Sequence, residues 1–483
     1  MRDYFRRNAI ALVGQLASIA QSVLLIPLFV RTAGAATYGE WALVSSLLGL
    51  LYGVLPLGTG FRVARYLPTT TDPAAARALV YPQFIFQVSI VCLLGAPILV
   101  LVKAFSADTQ GAPSWWLGVL YLVSYVLFAQ SNSYLRFTNR IFACTVQGTL
   151  GSAAQVAAAI VMAAAGHLSV AGLIAVQSAI LALVAAPVLV LMVREIGGPV
   201  VWPSVSVVRG DIALGFPITV TIVVDTVLAV GDRYILAGYL PLADVGAYAA
   251  AYTVGMLPLI FPRAVGMVLP QIMSAAVDSG VEARAHHVME FTLGLFVFVG
   301  VPFVVGSWLV GADVLGFFTD RQVAARAAGV LPLVAIASLA YGTCLLLSQV
   351  LFVQLRTGTM LYANGVAAAA NIVLNVVLLR LFGSVLVPAV VTIVCYLFML
   401  LIMLRRVRES WPVSVGYPVL RVVGVATAAM AVALAAARAT GLTGHLPGLI
   451  GVIVAAVLIY CVISLQLGVR DVLRLRAHQP AAP

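Results

Sequence analysis

The chain has 483 residues, 63% of them hydrophobic and 9% charged, with a mean hydropathy of +1.10 and a formal net charge of +11. Soluble domains are roughly half apolar, so this composition excludes a soluble globular protein and requires many membrane spans. The basic residues stand singly between apolar runs and form no stripe, which excludes nucleic acid as a partner and makes the charge a topology signal.

The opening MRDYFRRN and the apolar run to Val30 have the charge layout of a secretory signal. That run exceeds the roughly 7–15 residues of a signal core, so it reads as a retained first helix with its N-terminus inside. A span needs about 20 apolar residues. This length predicts helices at 9–30, 41–61, 79–102, 115–135, 145–166 and 170–193, then at 213–237, 247–275, 287–310, 329–354, 360–380 and 385–404. A last pair at 418–437 and 446–467 brings the total to 14. The expected fold is an all-α polytopic membrane protein. It divides into an N-terminal six-helix bundle (1–193), a cytoplasmic linker (194–212), a C-terminal six-helix bundle (213–404), an extra helix pair (405–469) and a cytoplasmic tail (470–483).

Of the 27 basic residues, 19 fall in segments this map puts inside, six outside, and two, Arg233 and Arg263, within spans. That bias places both termini in the cytoplasm. The tryptophans Trp41, Trp115, Trp116, Trp202, Trp308 and Trp411 fall at predicted helix ends or loops, as an interfacial belt requires. The longest connections, 194–212 and 311–328, are too short for a soluble domain. This counts against a membrane glycosyltransferase or polymerase, whose chemistry needs sizeable external loops. The five cysteines show no paired spacing and His286-His287 do not share a helix face, so no metal, disulfide or cofactor is expected.

An internal repeat runs through the map. ATYGEW at 36–41 resembles ADVGAY at 243–248, and Arg140, Gln147, Gln155 and Ser169 align loosely with Arg356, Ala363, Asn371 and Val385. Two halves of the same orientation follow, related by an axis along the membrane normal, with a binding cavity between them.

Four charges lie inside spans: Asp225, Asp232, Arg233 and Arg263. A charge at bilayer depth costs about 2.5–3.5 kcal/mol on insertion scales, so it faces a cavity or a partner. Asp225 and Arg263 each sit 12 residues from the inner ends of their helices, about 18 Å deep at 1.5 Å per residue. They form either a buried ion pair or a site in which Arg263 meets an anion and Asp225 balances it or takes a coupling ion. Helix 1 carries a polar stripe of Asn8, Gln15, Ser18 and Ser22, with Gln21 close by, and helix 11 carries Asn364, Asn371 and Asn375 on one face. Such amides bind a neighbouring helix or line a wet cavity. Pro56, Gly58, Pro258, Pro262 and Pro332 interrupt spans as kinks or bending points.

The stretch GDRYILAGYLPLADVGAYAAAY at 231–252 resembles the helix 7–8 signature of the polysaccharide-transporter branch of the multidrug/oligosaccharidyl-lipid/polysaccharide exporter superfamily, which includes the Wzx-type flippases. IPLFVRTAGAATYGEWALV at 26–44, PQIMS at 270–274 and ANIVLNVVLLRLFGSVLVPAVVT at 370–392 resemble further stretches of that pattern. Pro388 departs from it, standing where a small residue is usual, so helix 12 is expected to begin differently. The resemblance implies alternating access and a polyprenyl-diphosphate-linked oligosaccharide moved from the inner to the outer leaflet for surface polysaccharide synthesis. It further implies that Arg263 and Arg233 meet the diphosphate or acidic sugars; Asp225, Asp232, Gln15, Asn371 and Asn375, picked out by their place in the spans, are the other substrate-binding candidates. A polymerase and assembly proteins are candidate partners beside the bilayer. Arginine outnumbers lysine 26 to 1, which points to a high-GC bacterium and so to its plasma membrane. The competing reading is a cation-coupled drug exporter of the same superfamily, and the final helix pair is expected to offer a lipid tail a groove.

Overall fold

The computed structural model describes residues 2–105, 115–266, 269–354, 356–409, 411 and 413–468, excepting the side chains of 2–13, Gln15, 101–105, Ile218 and Thr357. The described residues form helices, turns and loops with no strand. They divide into two compact units, Met1–Val230 and Gly231–Pro483.

The first unit begins with α1 (Arg2–Thr32) and α2 (Ala35–Val54), joined by a turn in which Gly34 takes φ 89°. The second span then breaks at Pro56, where Leu57 and Gly58 both adopt positive φ, and resumes as α3 (Gly60–Tyr66). Asp72 caps α4 (Pro73–Ile90) by accepting from Ala74 N and Ala75 N, with Pro73 at the first helical position. A π-helical turn leads into α5 (Ala96–Phe105), followed by α6 (Trp115–Phe137), α7 (Ile141–Ala164) and α8 (Val170–Ile196). The next helix, α9 (Val205–Ala237), bends by 42° around Pro217–Thr219 and carries the boundary between the units. It starts before the expected 213, so Asp211 belongs to a helix and not to the linker.

In the second unit, α10 (Leu242–Gly255) breaks into a 3-10 turn at Leu257–Leu259, followed by α11 (Ile260–Gly266) and α12 (Leu269–Asp278). Then come α13 (Glu282–Phe318), α14 (Arg321–Ala327), α15 (Val330–Val353), α16 (Thr357–Phe382) and α17 (Leu386–Arg408). The chain ends in α18 (Tyr417–Ala439) and α19 (Leu446–Gln466). Each of the fourteen expected stretches is helical over most of its length. Among the described residues, ten spans are long and apolar enough to cross a membrane, or eleven with the bent α9, as befits a multi-pass membrane protein.

Pro388 sits in the first turn of α17, where its missing N–H has no intrahelical acceptor to lose, so the helix begins at the expected place. α13 runs eight residues past its expected end, which shortens the outer segment at 311–328. Trp411 departs from the aromatic belt: it is buried, with its ring 4.2 Å from that of His286.

The repeat is visible in backbone detail. Ala35 and Leu242 both open a helix, 207 residues apart. Arg140 and Arg356, 216 apart, both precede a helix with φ near −95° and ψ of 56° and 42°. The Arg140 N–H donates to Leu135 O and the Arg356 N–H to Leu351 O, each at 2.8 Å.

Candidate functional site

Asp232 and Arg233 are adjacent on α9 but meet different surroundings. Asp232 is 1% exposed, and Tyr248 of α10 donates its hydroxyl to Asp232 Oδ2 while Oδ1 has no hydrogen-bond partner. The Arg233 guanidinium lies 5.0 Å from the Tyr252 ring centroid, a cation–π contact, and its Nε is buried without a partner. Tyr248 and Tyr252 occupy one face of α10, four residues apart, so a single helix face receives both charges.

Arg263 lies on α11, just past the 3-10 break, and its side chain is exposed while Pro262 beside it is buried. It contrasts with Arg233 in its surroundings: among the described residues, no hydrogen bond or ion pair holds it. Asp225 is partly buried on α9, in the first unit.

Asn371 and Asn375 are buried on α16, where Asn375 Nδ2 donates to Asn371 Oδ1 at 3.0 Å. Asn371 Nδ2 and Asn375 Oδ1 are left without hydrogen bonds. The Gln15 side chain lies outside the described residues. Its neighbours on α1 bind α7: Gln21 Nε2 donates to Gln155 Oε1 at 2.8 Å, and the Ser18 and Ser152 hydroxyls are 3.4 Å apart.

The first unit holds two further polar groups, each built in part from residues of the predicted fourth helix. Gln83 Nε2 donates to Gln130 Oε1 at 3.3 Å, Gln130 Nε2 donates to Gln87 Oε1, and Gln87 Nε2 donates to Thr59 Oγ1 at 3.1 Å. One turn further along α6, Tyr134 donates to Glu195 at 2.7 Å, Arg140 donates to the same carboxylate at 2.6 Å, and Arg62 meets Asp211 at 3.3 Å. The Glu195 hydrogen bond raises the Arg140 guanidinium above its ordinary value. In the second unit Arg356 and Glu409 stand 4.0 Å apart at corresponding helix ends. The repeat aligned the two arginines, but a carboxylate so distant along the chain has no spacing signature.

An apolar groove of about 410 Å³ lies within the second unit. Phe298, Pro302 and Gly306 of α13 form one wall, with Met430 of α18 and Ile453 and Val457 of α19 among those opposite. Tyr460 donates to Phe298 O at 2.7 Å and Arg438 to Leu309 O at 2.8 Å, which fastens the final pair onto α13.

Residues 217–377 match the MatE family model. No curated protein matches the sequence. Among solved structures, the lipid II flippase MurJ in an inward closed conformation is similar with a TM-score of 0.75 at 15% identity, over 96% of this chain and 99% of that one. An inward-facing multidrug resistance MATE family transporter of the MOP superfamily gives 0.60 at 12% identity, over 82% of this chain and 92% of that one. The Vibrio cholerae MATE transporter VcmN gives 0.59 at 14% identity, over 84% and 96%. The chain therefore shares the fold of these solved structures.

Proposed function

We propose that this chain is a transporter of the multidrug/oligosaccharidyl-lipid/polysaccharide exporter superfamily that moves a polyprenyl-diphosphate-linked oligosaccharide from the inner to the outer leaflet by alternating access, for surface polysaccharide synthesis. The apolar groove between α13 and the final helix pair carries the reading. A drug-sized cation needs no such feature, whereas a polyprenyl chain must stay in an apolar medium while its head group crosses. The similarity to the lipid II flippase spans 96% of this chain, against 82–84% for the two MATE transporters. Asp232 is engaged by Tyr248, which weakens the drug-exporter reading, since that reading needs free carboxylates to attract a cation. Arg263 is the candidate for the diphosphate: an exposed guanidinium on a spanning segment matches a phosphate in charge and geometry. The setting is the plasma membrane of a bacterium, with both termini in the cytoplasm and the polymerase and assembly proteins as partners.

Gly306 offers the test. It lines the groove, and a Cβ there would meet nothing within 4 Å, so a larger side chain fills the groove without displacing the fold. Gly306→Phe should abolish surface-glycan export at unchanged protein abundance, and Gly306→Ala should export normally. Full export by the Phe variant would refute the groove's role.

A further inference from the structure

We infer that a pocket where α1 turns into α2 and α7 into α8 binds a primary ammonium, that of a phosphatidylethanolamine head group. The inference is independent of the cargo proposed above. The pocket has a volume of about 370 Å³, at the lower end of the roughly 300–1,000 Å³ typical of small-molecule sites. Thr32 at the end of α1 and Ser169 before the start of α8 line it, both exposed. Thr37 and Glu40, three residues apart on one face of α2, line it as well. Ala163, Gly166 and Ala171 complete the wall with small residues, which leaves the space open.

Glu40 gives the pocket its charge. Its Oε1 is buried without a hydrogen-bond partner, and among the described residues no ion pair holds the carboxylate. A buried carboxylate oxygen that no donor meets is costly, so the site favours a ligand that donates. The neighbouring threonines have no hydrogen to give it. Thr37 Oγ1 donates to Ala33 O at 2.8 Å and Thr32 Oγ1 donates to Leu28 O, so each turns only lone pairs to the pocket. One negative charge and two hydroxyl oxygens match an ammonium, whose N–H groups need a counter-charge and acceptors.

Other cations suit the pocket less well. Calcium takes about 6–8 oxygens, several of them from carboxylates, whereas Glu40 is the one acidic residue in the lining. A quaternary ammonium has no N–H and is recognised by a cage of aromatic rings, and no ring lines this pocket.

The position of the pocket points to lipid as the source of the ammonium. Its lining falls at the joined ends of the spans expected at 9–30, 41–61, 145–166 and 170–193, the level of lipid head groups. Trp41, next to Glu40 in the chain and stacked on Phe29 at 5.7 Å, fits the interfacial belt at that level. On α7, Ile160 lies one turn before Ala163 on the same face and is 49% exposed, so an acyl chain has an apolar wall to follow.

Native mass spectrometry of the purified full-length protein would test this, with phosphatidylethanolamine and phosphatidylcholine of identical acyl chains. Phosphatidylethanolamine should bind about tenfold more tightly, equivalent to about 1.4 kcal/mol. Glu40→Gln should bring that ratio near unity, and since it breaks no ion pair the variant should fold as the wild type does. Thr37→Val keeps the side-chain shape, removes one acceptor and should lower the ratio in part. A ratio undiminished in Glu40→Gln would overturn the inference. If the wild type binds the two lipids equally, lipid is not the source, and thermal melts with ethanolamine decide the rest. Glu40-dependent protection by ethanolamine would assign the pocket to a soluble amine, and no protection would refute the ammonium site.

Discussion

The backbones of Gly58 and Gly215 touch. A Cβ built on Gly58 would lie 2.3 Å from Gly215 O, and one on Gly215 would lie 2.4 Å from Gly58 O. The break in the second span is therefore seated directly against α9, two residues before the proline at its bend. Gly58 also needs its positive φ of 67°, whereas Gly215 does not, so the two positions separate backbone strain from contact. Gly215→Ala should lower stability by about 1–3 kcal/mol through overpacking alone. Gly58→Ala should cost more, because strain adds to the clash. Chemical unfolding of the detergent-solubilised variants measures both, and a neutral Gly215→Ala would show that the contact yields.

The Tyr248–Asp232 pair makes a second, sharper prediction. Tyr248→Phe removes the donor from Oδ2 of a carboxylate whose Oδ1 already lacks a partner. An unsatisfied buried group costs about 1–3 kcal/mol, more when charged, so this variant should be clearly destabilised. Asp232→Asn keeps an acceptor for the hydroxyl and removes the buried charge, so it should cost less than Tyr248→Phe. Thermal melts ranking the two the other way would mean that Asp232 is stabilised by its charge.

These two relationships mark how far the sequence could be read. Span positions were legible because the bilayer imposes a length and a composition, and the repeat was legible because Arg140 and Arg356 serve one capping geometry in two halves. Asp232 and Arg233 stood out as charges within an apolar run. Their partners Tyr248 and Tyr252 did not, since tyrosine is an ordinary residue in such a run and only packing brings it to the carboxylate and guanidinium. The groove was anticipated from the surplus helix pair, but its walls on α13 required the fold.

The asparagine pair on α16 should behave non-additively. Asn375→Ala removes the donor to Asn371 Oδ1 and leaves another buried polar atom unpaired, at a cost of about 1–3 kcal/mol. Replacing Asn371 by alanine as well removes that orphan, together with Asn371 Nδ2, which has no hydrogen bond to lose. The double variant should therefore be little worse than the single one. Additive losses would indicate that each amide has an independent partner, and a loss of transport without a loss of stability would assign the pair to the substrate.

Arg263 has no ion-pair partner among the described residues and sits on a seven-residue helix beyond a break, so its removal should leave the fold intact. Arg263→Ala should abolish glycan export while the protein remains inserted and abundant. Arg263→Lys separates charge from geometry. A guanidinium grips two phosphate oxygens at once, whereas an ammonium is a point charge, so lysine should restore only part of the activity. Its residual export should also fall more steeply with ionic strength, because a single charge contact without bidentate geometry is more readily screened. Wild-type export from Arg263→Ala would refute the assignment, and equal export from Lys and Arg would reduce the residue's part to its charge.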